Sequence, residues 1–123
     1  MTETQTVGRK RWAIAEGFIP GASHGPSPQM ESHETMCVLN AGEHDANLRV
    51  TIYYADRDPD GPFEITVPAR RVRHFRFNAL PIPRETDYSS LIESDQPVVV
   101  QHTRLDSRQA DLALLSTIAY SDG

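Results

Sequence analysis

Two segments of this chain alternate between apolar and polar residues, and that period of two limits the fold more than any other feature of the sequence. In residues 48–54 the side chains of Leu48, Val50, Ile52 and Tyr54 fall on one face of an extended strand. Residues 63–67 repeat the pattern with Phe63, Ile65 and Val67. The intervening residues 56–62 (DRDPDGP) combine an Asp-Gly pair, which tolerates positive φ, with two prolines that interrupt strands. The two segments therefore predict a β-hairpin.

Further short segments of extended character follow more loosely along the chain. No stretch keeps a 3.6-residue period, although residues 88–93 and 108–112 could each form a helical turn. Residues 94–97 (SDQP) look like a turn, so a second hairpin is predicted between the segments on either side. About eight short strands at this spacing predict an all-β fold, a single-domain β-sandwich of jelly-roll type. The further candidate strands are residues 11–16, 34–39, 71–77, 88–93, 98–105 and 112–120.

Length and composition set the wider limits. A chain of 123 residues is one domain, and residues 1–8, polar and aperiodic, predict a disordered tail before a domain at 9–123. No run approaches the roughly 18 apolar residues of a membrane helix, and the first residues lack the apolar segment of a signal peptide. The single cysteine, Cys37, excludes an internal disulfide. We therefore expect a cytoplasmic protein.

Signatures of catalysis and of metal binding are missing from the sequence. The five histidines are dispersed, with no His-x-His pair. A metal site could assemble only from separated strands, for example from His33, Glu34 and His102. There is no nucleophile elbow, phosphate-binding glycine loop or dinucleotide fingerprint. These patterns predict a protein that is not an enzyme and that holds no cofactor or metal.

The most unusual stretch is residues 70–77 (RRVRHFRF), in which four arginines and one histidine alternate with apolar residues. Because arginine binds carboxylate or phosphate in a bidentate manner, three uses are open for this strand. Salt bridges, within or between subunits, come first in a chain of net charge −5. Binding of an anion or sugar acid comes second, and nucleic acid comes third. The candidate interface or anion-binding residues are Arg70, Arg71, Arg73, His74 and Arg76.

Polar side chains beside apolar strands supply candidates for a small-molecule pocket. Residues 98–108 begin as an apolar strand and become polar from residue 101 onward. In an extended strand Trp12 and Glu16 would share a face, where the indole could stack on a sugar ring, although Trp12 could equally be a core residue. The same polar residues could instead line a subunit interface. The predicted ligand-binding residues are Trp12, Glu16, His33, Glu34, His102 and Arg104.

Taken together, several motifs resemble the sensory rhodopsin transducer family, in unbroken order from about residue 8 to residue 120. One departure is that residues 78–83 are a few residues shorter than the family pattern. The motifs that carry the resemblance are residues 12–20 (WAIAEGFIP), 32–35 (SHET), 37–42 (CVLNAG), 51–54 (TIYY), 67–71 (VPARR), 74–78 (HFRFN), 101–110 (QHTRLDSRQA) and 114–120 (LLSTIAY).

The resemblance implies a small cytoplasmic β-sandwich that assembles as a homotetramer and couples to the cytoplasmic face of a membrane sensory rhodopsin. For relatives without such a receptor it implies a domain that binds sugar-like small molecules and is linked to transcriptional control. On this basis the sequence predicts a signal-transducing, small-molecule-binding domain. The alternative function is that of a sugar or sugar-acid sensor that has no rhodopsin partner and is linked to transcriptional control. Nucleic-acid binding is the weakest expectation.

Overall fold

The computed structural model describes residues 6–123, and nearly all of its regular structure is extended. One short 3₁₀ turn at Phe77–Ala79 follows the fifth strand. The seven strands are β1 (Arg9–Ile14), β2 (His33–Asn40), β3 (Ala46–Tyr54), β4 (Asp60–Val67), β5 (Arg71–Arg76), β6 (Tyr88–Asp106) and β7 (Ala113–Ile118).

The long strand β6 joins two antiparallel sheets. Its first half, up to Ser94, pairs with β3 on one side and with β1 on the other, and β4 extends this first sheet beyond β3. Its second half, from Val99, pairs with β2 and β7, and β5 extends this second sheet beyond β2. The prediction of an all-β sandwich is confirmed.

The hairpin predicted from the strict alternation is confirmed. β3 pairs with β4 with Leu48 opposite Ile65 and Val50 opposite Phe63. The connection is residues 55–59, so the Asp-Gly pair lies at the start of β4 instead of in the turn. Gly61 has a φ of +105° and approaches the Val50 carbonyl oxygen so closely that a Cβ would lie 2.8 Å from it. Only glycine fits this position without strain.

The second predicted hairpin is wrong, because residues 88–106 form one continuous strand. Reversal by a tight two-residue turn needs positive φ, and no residue of 94–97 has it. The Ser94 hydroxyl instead donates to the Gln96 carbonyl and accepts from the Gln96 amide, at 2.7 and 3.2 Å. These two bonds lie where the strand passes from the first sheet to the second.

The core lies between the two sheets and is built from the inward residues of the strands. Leu48, Val50 and Ile52 of β3 are fully buried, as are Ile92 and Val100 of β6. Each such side chain contributes about 1.5–3 kcal/mol relative to an exposed position. These apolar residues fill the middle of the sandwich.

Two edge strands of the second sheet remain largely uncovered. Every residue of β7 is exposed, and four residues of β5 are exposed as well. No helix in residues 6–123 is long and apolar enough to cross a membrane. Of the predicted tail, residues 1–5 lie outside the described residues, and Gly8 lies directly against the Val98 backbone.

Candidate functional site

At one end of the sandwich the inward faces of β2 and β6 become polar, and their central contact is a buried pair. His102 Nε2 lies 2.6 Å from Glu34 Oε1, and both side chains are at most 3% exposed. At this distance the imidazole and the carboxyl group share a short hydrogen bond. Removing one member of such a pair is expensive, since the other is then left buried without a partner.

A short irregular segment, residues 15–19, covers this pair and is named here the covering segment. The amide of Phe18 donates to the second Glu34 oxygen at 2.5 Å. The segment is bonded to residues 85–88 through the amide of Tyr88, which donates to Gly17 O at 3.0 Å, and the amide of Glu85, which donates to Ile19 O at 2.9 Å. Both oxygens of Glu34 are therefore bound, and the segment is fixed over the cluster.

Tyr88 lies under the covering segment with its hydroxyl buried. The residue is 4% exposed, and its oxygen has no hydrogen-bond partner within residues 6–123. Burial raises the pKa of this phenol well above its usual value, and the nearby Glu34 carboxylate raises it further. The hydroxyl is thus a neutral donor that lies beside the Glu34 carboxylate without a well-formed hydrogen bond to it.

Arg104 connects the buried cluster with the surface. It follows His102 by two residues on the inward face of β6, and its Nη1 donates to Glu16 Oε1 at 2.9 Å. The Arg104 side chain is 18% exposed, whereas that of Glu16 is 72% exposed. The pair places one charge at the edge of the interior and the other in solvent.

Beside the covering segment the surface opens into a pocket of about 230 Å³, named here the mouth pocket. Its walls carry aromatic rings, two carboxylates and exposed backbone. Tyr88 and Glu16 belong both to this wall and to the buried cluster. The lining residues are Ala15, Glu16, Gly17, Tyr53, Tyr54, Ala55, Asp87, Tyr88 and Ser89.

Four of the predicted ligand-binding residues lie together at this end of the sandwich: Glu16, Glu34, His102 and Arg104. Trp12 lies elsewhere, in the core, where its indole Nε1 donates to the carbonyls of Arg9 and Val98 at 2.9 and 3.1 Å.

His33 lies apart from this group, on the outer face of the second sheet. Its Nδ1 is 2.6 Å from the Glu31 carbonyl oxygen. Adjacent residues of a strand point to opposite faces, so His33 cannot join Glu34 inside the sandwich.

The basic residues around β5 are divided between two faces. His74 and Arg76 lie opposite Cys37 and Thr35 on the outer face of the second sheet. Arg73 points the other way, donating to the Thr66 carbonyl and lying 5.6 Å from the Phe75 ring.

Ion pairing is rare among these basic residues. Arg71 donates to the Arg70 carbonyl. Arg70 has a φ of 58° and lies 3.7 Å from the Glu43 carboxylate, the one ion pair of these five side chains within residues 6–123.

The suggested metal set does not assemble. Glu34 and His102 are in contact, but His33 is on the other face of the same strand. Within the described part of the chain no group of three or more His, Cys, Asp or Glu side chains could hold a metal ion.

Sequence reasoning missed Tyr88, Tyr53 and Asp87. A signal for Tyr88 was present, because Tyr88, Ser90, His102 and Arg104 are separated by even numbers of residues. In one continuous strand these four share the inward face. The expected turn at 94–97 concealed that relation.

The fold and site define a small antiparallel β-sandwich with a buried acid–histidine pair beneath a polar surface pocket. Residues 7–121 match the family model described as Anabaena sensory rhodopsin transducer, so the chain belongs to that family.

Two solved structures are similar to it. One, titled Crystal Structure of Thermotoga maritima 1070, has 34% identity and a TM-score of 0.85, covering 92% of this chain and 94% of that chain. The other, Anabaena sensory rhodopsin transducer, has 56% identity and a TM-score of 0.74, covering 81% of this chain and all of that chain (100%). A comparison with curated proteins found no match.

Proposed function

We propose that this protein is a soluble, non-enzymatic cytoplasmic signal transducer that binds a sugar-like small molecule in the mouth pocket. Membership of the sensory rhodopsin transducer family supports the signalling role. The partner we propose is the cytoplasmic face of a membrane sensory rhodopsin, or a transcriptional regulator in a cell without one. The transducer acts as a homotetramer.

One observation carries the ligand-binding part: the buried Tyr88 hydroxyl lacks a partner beneath a pocket with aromatic and carboxylate walls. Buried polar groups are nearly always hydrogen-bonded, so an unpaired phenol marks a place where a ligand acceptor fits. The ring of Tyr53, 42% exposed, offers an apolar face. Glu16 and Asp87 offer oxygens for hydroxyl groups. At about 230 Å³ the pocket suits a single sugar ring better than an oligosaccharide.

The geometry also links ligand binding to the second sheet. Glu16 reaches Arg104, and Tyr88 lies close to Glu34, which holds His102. A ligand that engages Glu16 or Tyr88 therefore acts on residues of both halves of β6. This coupling is what a transducer needs, because binding must alter a surface that a partner contacts.

The test is thermal unfolding of the purified protein in the presence of neutral monosaccharides and sugar acids. Because a ligand that binds only the folded state stabilises it by mass action, we expect a saturable rise in Tm with one sugar class. Tyr53→Ala should abolish the rise. Tyr120→Ala, the same change at a tyrosine 68% exposed and outside the pocket lining, should preserve it.

A screen without any shift, or a shift that Tyr53→Ala leaves intact, contradicts ligand binding in the mouth pocket. The signalling role is then measured separately, by co-sedimentation of the protein with vesicles that contain a microbial sensory rhodopsin. Absence of binding in light and darkness contradicts the rhodopsin partnership.

A further inference from the structure

A second concave surface lies on the outer face of the second sheet, on the opposite side of β2 from the buried pair. It is a groove of about 420 Å³. All its lining side chains can donate hydrogen bonds, and none is a carboxylate. The residues are His33, Thr35 and Cys37 of β2, His74 and Arg76 of β5, and Thr103 of β6.

Strand register brings these groups together. Thr35 lies directly opposite Arg76 on one side and Thr103 on the other, and Cys37 lies opposite His74. Directly opposed residues in antiparallel strands have Cβ atoms about 4.5–5.5 Å apart on the same face. The guanidinium, imidazole and hydroxyl groups therefore converge over a few ångströms of sheet.

Part of this donor set is already held in place. Arg76 is half-buried and donates to the Pro28 carbonyl at 2.9 Å through one Nη, which leaves its other guanidinium hydrogens for a ligand. The His33 ring donates from Nδ1 to the Glu31 carbonyl at 2.6 Å, and the Thr103 hydroxyl donates to Ser116 Oγ at 3.1 Å, so these two side chains form fixed walls of the groove. Donors fixed in this way lose little conformational entropy when a ligand binds.

The charge around the groove is uncompensated, although the whole chain has a net charge of −5. Within residues 6–123 none of the six lining side chains forms an ion pair. The carboxylates nearest in sequence are engaged elsewhere: Glu34 inside the sandwich with His102, Glu31 with Arg84 at 2.7 Å, and Asp106 with Arg108 at 2.6 Å. The groove is thus a local cationic site on an acidic protein.

We propose that this groove binds the phosphoryl group of a small phosphorylated metabolite. The free guanidinium hydrogens of Arg76, the His74 imidazole and the Thr35 hydroxyl point donors from several directions, which the two coplanar oxygens of one carboxylate cannot all meet. Three phosphoryl oxygens match them better. The site is separate from the mouth pocket and does not depend on ligand binding there.

Cys37 is a built-in reporter, because it lines the groove and is the single cysteine of the chain. The experiment measures the rate of its alkylation by iodoacetamide, followed by intact mass, in the full-length folded protein. We expect inorganic phosphate and glycerol 3-phosphate to slow alkylation several-fold and saturably. Glycerol, and sodium chloride at matched ionic strength, should leave the rate unchanged.

Variants identify the groups responsible. His74→Gln and Arg76→Gln should each remove most of the protection. Arg49→Gln, which removes the same charge as Arg76→Gln from an exposed position on the first sheet, should retain it. His74 is exposed and has no side-chain hydrogen bond in the described part of the chain, so its replacement tests binding without disturbing the fold.

Several results overturn the proposal. One is equal protection in His74→Gln, Arg76→Gln and the parent protein. Another is equal protection by glycerol, or protection by a DNA duplex where both phosphate probes fail. A Cys37 that reacts only after unfolding also overturns it, because the groove is then closed in the native protein.

Discussion

At the scale of single residues, the hydroxyl of Tyr88 is one of two buried side-chain oxygens, with that of Ser90, that make no well-formed hydrogen bond within residues 6–123. Burial and the neighbouring Glu34 carboxylate both raise the pKa of this phenol. An apolar ring of the same shape would pack there without that desolvation cost. The hydroxyl therefore costs stability where it stands, and a ligand that accepted its hydrogen bond would recover that cost.

Tyr88→Phe should leave the free energy of unfolding at neutral pH unchanged or raise it by up to about 1 kcal/mol, because an unpaired buried polar group is removed. Above about pH 10 the two proteins should diverge. The raised pKa of Tyr88 means that the unfolded chain loses this proton first. Its stabilisation is thus present below about pH 10 and is lost as the pH rises.

The measurement is urea denaturation of both proteins from neutral to alkaline pH. The parent should lose stability more steeply than Tyr88→Phe. Tyr120→Phe, at an exposed position, is the matched control and should follow the parent. Parallel curves for the parent and Tyr88→Phe would contradict the burial of an un-ionised phenol.

Residue by residue, the period of two explains which parts of the site the sequence could predict. Glu34, His102 and Arg104 share the inward face, as the alternation predicts, whereas His33, which was grouped with them, lies on the outer face. The predicted shared face of Trp12 and Glu16 does not form, because β1 ends at Ile14 and the alternation stops before Glu16. Contacts made by irregular backbone, such as that of the Phe18 amide, leave no periodic trace in a sequence.

At the scale of elements, the covering segment depends on a glycine for its close approach to β6. A Cβ added to Gly17 would lie 2.7 Å from two ring atoms and the carbonyl oxygen of Tyr88. Because that carbonyl belongs to the backbone of a central strand, moving it aside would cost free energy by disrupting the strand. Glycine at this position therefore determines how tightly the segment covers the Glu34–His102 pair.

Gly17→Ala should destabilise the protein by about 1–3 kcal/mol, the usual cost of overpacking. The matched control is Gly21→Ala, the same change in the same connection. There an added Cβ would meet only the flexible Glu85 side chain, at 3.3 Å. Urea denaturation at neutral pH gives both values, and equal losses for the two variants would show that the close approach to Tyr88 is not limiting.

The alternation of apolar and polar residues was enough to predict the all-β fold class. It was not enough to predict the order of the strands in the two sheets. The turn-like composition of residues 94–97 suggested that the chain reverses there. These residues instead continue the strand, with no positive φ and with a hydrogen bond between Ser94 and Gln96. Packing between the two sheets decides on which side of β6 each strand lies. This choice cannot be predicted from local sequence patterns.

At the scale of the whole molecule, the exposed edge strand β7 of the second sheet is what the proposed homotetramer would cover. Leu114, Leu115 and Ile118 of β7 are 50–70% exposed. Apolar side chains grouped in this way on a single sheet are typical of surfaces that bind another protein chain.

The double variant Leu114→Asp/Ile118→Asp should therefore reduce the assembly to smaller species, because it places two charges on the surface to be buried. Val7→Asp, at a residue 57% exposed and outside the seven strands, is the control and should keep the parent mass. Sedimentation velocity at micromolar concentration measures both. A monomeric parent, or a double variant of unchanged mass, contradicts assembly through β7.

The continuity of β6 has a consequence for how the molecule opens. Four other strands pair with it directly, and the remaining two are attached through β3 and β2. An amide proton of β6 that is bonded to a neighbouring strand can exchange with deuterium only when that pairing opens, whereas edge strands can fray one at a time. The two halves of the sandwich thus share one continuous backbone strand, so a displacement of either half is transmitted to the other through β6 as well as through the side chains.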